Sequence, residues 1–114
     1  MSEDPAETVR RFDAAFNRHD LRALADLITE DCVFENTHPP DGQRIVGLAA
    51  VLEAWGQVMA DATDVHFDVE EMITSGDRVV VLWSYSWSDG HVRGVDIMRV
   101  RDGRVAESFA YVKG

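Results

Sequence analysis

Residues 92–112, V-R-G-V-D-I-M-R-V-R-D-G-R-V-A-E-S-F-A-Y-V, constrain this chain more than any other stretch. Two runs rich in β-branched, aromatic and small residues flank Asp102-Gly103, a pair that accepts the positive φ angles of a tight two-residue turn. The stretch therefore reads as a β-hairpin. Period-two alternation in its first arm puts Val92, Gly94, Asp96, Met98 and Val100 on one face, and Arg93, Val95, Ile97, Arg99 and Arg101 on the other. The arginines turn the second face toward water or a partner, so Asp96 falls on the core side. An ionised carboxylate there is costly unless it is paired, lines a cavity or stays protonated. With no cation on its own face, its pKa is expected to be raised.

Upstream of the hairpin, residues 65–74 and 78–88 read as two further strands, separated by Ser75-Gly76-Asp77 and followed by Ser88-Asp89-Gly90. Together with the hairpin they predict a four-stranded meander. Strand 78–88 aligns Val79, Val81, Trp83, Tyr85 and Trp87 on one face. Such a stripe packs as core, but three aromatic rings with polar handles are more easily satisfied around a cavity than in a dry interior.

The first part of the chain is helical in pattern. Asp4 is placed to cap a helix that starts at Pro5, with Glu7 at the capping-box position and Val9, Phe12, Ala15 and Phe16 on one face. That helix stops near Asn17-Arg18-His19. Asp20 can cap a second, short helix carrying Leu21, Leu24, Leu27 and Ile28. Residues 32–36 read as a short strand, and 37–42, with Pro39-Pro40, as a loop. From Gly47, the residues Leu48, Val51, Leu52, Trp55, Val58, Met59 and Ala62 keep helical spacing over about four turns. Helices first and consecutive hairpins after is the α+β pattern, in which three N-terminal helices pack against a curved antiparallel sheet.

At 114 residues and 46% hydrophobic content the chain has room for one core, so residues 1–114 are read as one domain. The net charge of -10, with one lysine, disfavours nucleic acid and anionic membranes, which are held by clustered Lys and Arg. No apolar run approaches the roughly 20 residues that span a bilayer. The lone Cys32 has no disulfide partner within the chain and reads as a buried structural thiol. Residues 1–7 are polar and acidic, unlike a signal peptide, which makes the cytoplasm the expected compartment.

A glycine-rich phosphate loop, a G-x-S-x-G elbow, zinc-ligand spacing and H-E-x-x-H are all missing from the sequence. No cofactor or metal is expected. Of the four histidines, His19, His66 and His91 read as surface residues. His38, two positions beyond Asn36, could stand at a cavity mouth and carry a proton, although a solvated loop histidine is the commoner case.

The helical hairpin, D-C-V-F-E-N, the amphipathic helix and G-V-D-I-M-R-V-R-D-G-R-V-A-E together resemble the SnoaL-like branch of the nuclear transport factor 2-like superfamily over essentially the whole chain. The resemblance implies a cone-shaped α+β barrel whose curved sheet wraps three helices around a deep apolar pocket, with a homodimer formed through the outer sheet face. It does not imply one reaction, because this fold carries isomerases, cyclases, dehydratases, epoxide hydrolases and plain binding domains. By the resemblance to ketosteroid isomerases, Asn36 stands at the general base, Phe12 at the oxyanion-hole tyrosine and Asp96 at its protonated aspartic acid partner; only Asp96 keeps the required chemistry. The epoxide hydrolase set would fall on Trp83, Tyr85 and Ala110, and the acid/base of polyketide cyclases on Ala110, so neither survives.

The first expectation is a protein that binds a small apolar ligand, with Phe12, Phe16, Phe34, Asn36, Trp55, Met59, Trp83 and Met98 lining the pocket beside Asp96 and Tyr85. The rival is an isomerase-, cyclase- or dehydratase-type enzyme acting on an apolar carbonyl compound, with Asp96 as acid or hydrogen-bond donor and Tyr85 or His38 as its partner. A third reading is an assembly module with a vestigial pocket.

Overall fold

The structure, a computed structural model, describes residues 4–61 and 64–113. The expectations for residues 1–3 and for Ala62 lie outside the described residues.

The chain opens with α1 (Pro5–Asn17), whose first turn is capped as its sequence demands: Asp4 Oδ1 accepts from the Ala6 N–H at 3.1 Å, and Pro5 opens the helix. Glu7 meets Arg10 at 3.3 Å. Asp20 caps α2 (Leu21–Leu27) by accepting from the Ala23 N–H at 3.0 Å. Ile28 does not continue that helix. It takes extended angles (φ -124°, ψ 153°) and begins β1 (Ile28–Glu35) with no intervening loop, as the β-branched pair Ile28-Thr29 favours. The strand is thus longer than the predicted 32–36, and Asn36 lies just past its end. After the proline loop comes β2 (Arg44–Val46), which periodicity does not reveal; Gly47 at φ 98° turns the chain into α3 (Leu48–Asp61).

The meander follows as β3 (His66–Ser75), β4 (Arg78–Trp87), β5 (Gly90–Arg101) and β6 (Arg104–Val112). Asp102 and Gly103 both have positive φ, 53° and 75°, and Arg101 pairs with Arg104 across them, the geometry of a mirror-image tight turn. β5 starts at Gly90 because Gly90 pairs with Trp87. The sheet has six strands in the order β2-β1-β6-β5-β4-β3 and does not close. Its ladders are antiparallel except that β1 runs parallel to β6, so the sheet is mixed, and the first strand extends the meander through a long-range pairing.

The three helices cover one face. Val9, Phe12 and Ala15 of α1, Leu24 of α2 and Val51, Trp55 and Met59 of α3 are buried against Val79, Val81, Trp83, Met98 and Val105 of the sheet. The aromatic row of β4 runs out of this core, with Trp83 buried, Tyr85 half-buried and Trp87 exposed. Where the core thins, it leaves a cavity.

Candidate functional site

The cavity, about 290 Å³, opens between α1, α3 and the inner face of the sheet. Its wall is aromatic. Phe12 and Phe16 come from α1, Trp55 from α3, Phe34 from β1, Phe67 from β3 and Tyr85 from β4. The rings meet edge-on, Phe12 with Trp55 at 5.3 Å, Phe34 with Trp55 at 5.4 Å and Phe16 with Phe67 at 5.3 Å between centroids. Asn17 fixes the last turn of α1 to β3: its Nδ2 donates to the Phe67 carbonyl and its Oδ1 accepts from the Phe67 N–H, each at 2.9 Å. One amide side chain thereby replaces a neighbouring strand and sets the position of the α1 rings.

Asp96 lies on the inner face as its alternation requires, directly paired with Val81 on one side and Ala110 on the other, neither of which offers a charge or a donor. The arginines of β5 point away and are engaged elsewhere: Arg93 with Glu70 at 2.6 Å, Arg99 with Asp77 at 3.0 Å and Arg101 with Asp31 at 2.6 Å. Burial pushes the Asp96 carboxyl up from 3.8 to about 7, offset in part by the nearby Trp83 indole. That indole N–H is itself buried and makes no hydrogen bond of good geometry, so its pull on Asp96 is a weak one.

A second carboxyl shares the cavity. Asp13 of α1 lines it, and its Oδ2 is buried with no hydrogen-bond partner among the described residues. Burial first, and then the charge of Asp96, raise its pKa from 3.8 to about 7. Two acids desolvated in one apolar space do not both ionise freely; near neutral pH their protons belong to the pair. Sequence reasoning did not single out Asp13, although the signal is present. Val9, Phe12, Asp13 and Phe16 are spaced i, i+3, i+4, i+7, so Asp13 sits inside the apolar stripe of α1. Phe67 and Ser108, also at the cavity, were missed as well.

The other predicted positions divide. Phe12, Phe16, Phe34, Asn36, Trp55 and Tyr85 line the same cavity as Asp96. Burial, and then the charge of Asp64, raise the Tyr85 hydroxyl above its ordinary value. Met59, Trp83 and Met98 are buried in the core beside it. His38 is exposed and borders a separate groove of about 490 Å³ under the proline loop, with Glu35 and Asp41. Asn36 is occupied structurally: its Oδ1 accepts from the His38 and Gln43 N–H groups at 3.0 and 2.8 Å, and its Nδ2 donates to Gln43 Oε1 at 3.2 Å. Among the described residues, no three His, Cys, Asp or Glu side chains converge to hold a metal, and no helix is long and apolar enough to cross a membrane.

Residues 9–108 match the model of the SnoaL-like domain. The crystal structure of an NTF2-like protein of unknown function from Mesorhizobium loti is 45% identical and superimposes with a TM-score of 0.86, covering 100% of this chain and 98% of that one. A candidate ketosteroid isomerase from Kribbella flavida, 22% identical, shares the fold with a TM-score of 0.84 over 96% of this chain and 78% of that one. The uncharacterized protein YesE of Bacillus subtilis is 27% identical over 120 residues, 96% of this chain and 81% of its own length.

Proposed function

The chain belongs to the SnoaL-like domain family, and from that premise we propose that it binds a small, largely apolar molecule in the cavity between α1, α3 and the sheet. One observation carries this reading: six aromatic side chains enclose a space of about 290 Å³ whose buried acids are Asp13 and Asp96. A mostly apolar wall with a few convergent polar groups suits a ligand of modest size, the wall supplying affinity and the carboxyls orientation. The fold leaves the reaction open, so the reading rests on the site.

Native mass spectrometry of the purified protein tests it. An adduct of small-molecule mass is expected on the wild type and is expected to be lost when Ala54→Trp fills the cavity. A wild type that carries no adduct and takes up no apolar probe would overturn the reading.

The carboxyl pair favours a second reading, an isomerase-, cyclase- or dehydratase-type enzyme acting on an apolar carbonyl compound. A protonated Asp96 would donate to the carbonyl oxygen, and Asp13, not the exposed His38, would be the group placed to accept a proton. In that case Asp96→Asn lowers kcat more than it raises KM, since the amide keeps a donor and loses the transferable proton.

A further inference from the structure

Among the described residues, those that line the cavity include two acids and no base. Asp13 comes from α1 and Asp96 from β5; Tyr85 from β4 is the third titratable group at the wall, while α3, β1, β3 and β6 add no charged side chain to it. The arginines of β5 are bound to carboxylates away from the cavity, and Arg44 is bound to Glu35 at 3.1 Å. Among the described residues, no group donates to Asp13 Oδ2, whereas folded proteins pair nearly every buried polar atom. What that oxygen lacks is a donor.

We propose that the cavity is a site for an apolar organic cation, a hydrophobic ammonium whose N–H groups donate to Asp13 and Asp96 while its hydrocarbon lies among the aromatic rings. The proposal rests on the small-molecule reading above and names its ligand class. A carbonyl compound brings only acceptors and leaves Asp13 Oδ2 without a donor. An ammonium brings up to three donors and one charge, matching a carboxyl pair that retains one proton and one charge. The wall suits a cation as well. Phe12, Phe16, Phe34 and Trp55 all line the cavity, and the face of an aromatic ring attracts an ammonium. The chain's net charge of -10 draws cations toward the entrance.

Three probes on one bicyclic skeleton test this by isothermal titration calorimetry: 2-aminoindane, 2-indanone and indane. The wild type is expected to bind 2-aminoindane on the order of tenfold more tightly than 2-indanone at about pH 8, and to release protons on binding near pH 6, where the free pair still holds more than the one proton that the bound state keeps. Amine affinity should rise between about pH 5.5 and about pH 8, while that of 2-indanone should not. Asp13→Asn should erase most of the preference for the amine over 2-indanone and indane. If 2-indanone binds as well as or better than 2-aminoindane across that pH range, the cation is wrong and the apolar pocket stands. If none of the three binds, both readings fall. Should Asp13→Asn fail to fold by circular dichroism, the wild-type pH series decides alone, and an amine affinity that does not rise with pH overturns the proposal.

Discussion

The negative charge of Asp96 on β5 acts on Asp13 of α1: after burial, it is what holds the Asp13 carboxyl at about 7. Both acids bind their proton more tightly in the folded chain than in the unfolded one, where aspartates titrate near 3.9. Their contribution to stability is therefore fully present below about pH 4 and is lost as the pH rises toward about 7. Asp96→Asn keeps the shape but cannot ionise. It is expected to match the wild type near pH 4 and to be more stable than it by about 1–3 kcal/mol at pH 8. In the variant Asp13 should titrate lower than in the wild type, yet still above 3.8 because burial remains. Urea denaturation across pH and carboxyl-carbon NMR check both. A variant that becomes less stable than the wild type as pH rises would mean that Asp96 is charged and paired.

Gly94 pairs with Trp83 across the β4–β5 ladder, and the indole lies over it. A Cβ built there would stand 2.7 and 2.8 Å from two ring carbons of Trp83 and would press on the Tyr111 carbonyl oxygen. A backbone oxygen in a paired strand cannot retreat far, so the ring must move. Gly94→Ala is expected to cost about 1–3 kcal/mol in urea denaturation and to shift the tryptophan fluorescence as Trp83 is displaced. A variant with an unchanged midpoint and spectrum would contradict this packing.

The parts of the fold with local periodicity were legible in the sequence. The α3 stripe, the Asp4 and Asp20 caps and the Asp102-Gly103 turn each rest on residues close in the chain. β2 and the parallel pairing of β1 with β6 were not, because a three-residue strand shows no alternation and Phe34 meets Ser108 only through the folded chain. Asp96 was legible because alternation assigns it a face. Asp13 was passed over because an apolar stripe draws attention to its hydrophobic members, when the charged residue inside it is the one that needs a reason. His38 stands close to Asn36 in sequence but is turned outward, since Asn36 spends its carboxamide on the backbone of that loop.

Those bonds give Asn36 a role separate from proton transfer. Asn36→Ala removes acceptor contacts of 3.0 and 2.8 Å and a donor contact of 3.2 Å, and should loosen residues 37–42, read as faster amide exchange there with a stability loss of about 1 kcal/mol. Asn36→Asp keeps both backbone bonds and should protect the loop nearly as well. The unmodified protein, with Asn36 and Phe12 in the places where the resemblance to ketosteroid isomerases puts the base and the oxyanion donor, is expected to leave a 3-keto-Δ5-steroid essentially unconverted. Efficient turnover in a spectrophotometric assay would show those roles to be misplaced.

The outer face of the sheet carries the last prediction. Ile73, Val80, Ile97 and Phe109 are directly paired neighbours across β3, β4, β5 and β6, and Leu82, Val95 and Tyr111 form a second such row beside them. Ile73 and Tyr111 are 49% and 54% exposed in the single chain. Two adjacent apolar rows on one face make a contiguous patch, and monomeric proteins rarely leave such a patch in water. The face is also suited to its own copy, since Arg93, Arg99 and Arg101 around it are already neutralised by Glu70, Asp77 and Asp31 and would not repel across a two-fold axis. A homodimer through this face is the expected state in sedimentation at micromolar concentration. Ile97→Asp puts a charge in the middle of the first row, next to Val80 and Phe109, and should shift the protein to monomer while leaving the cavity on the opposite face intact. A wild type that sediments as a monomer, or an Ile97→Asp variant that dimerises as well as the wild type, would rule out this face as the interface.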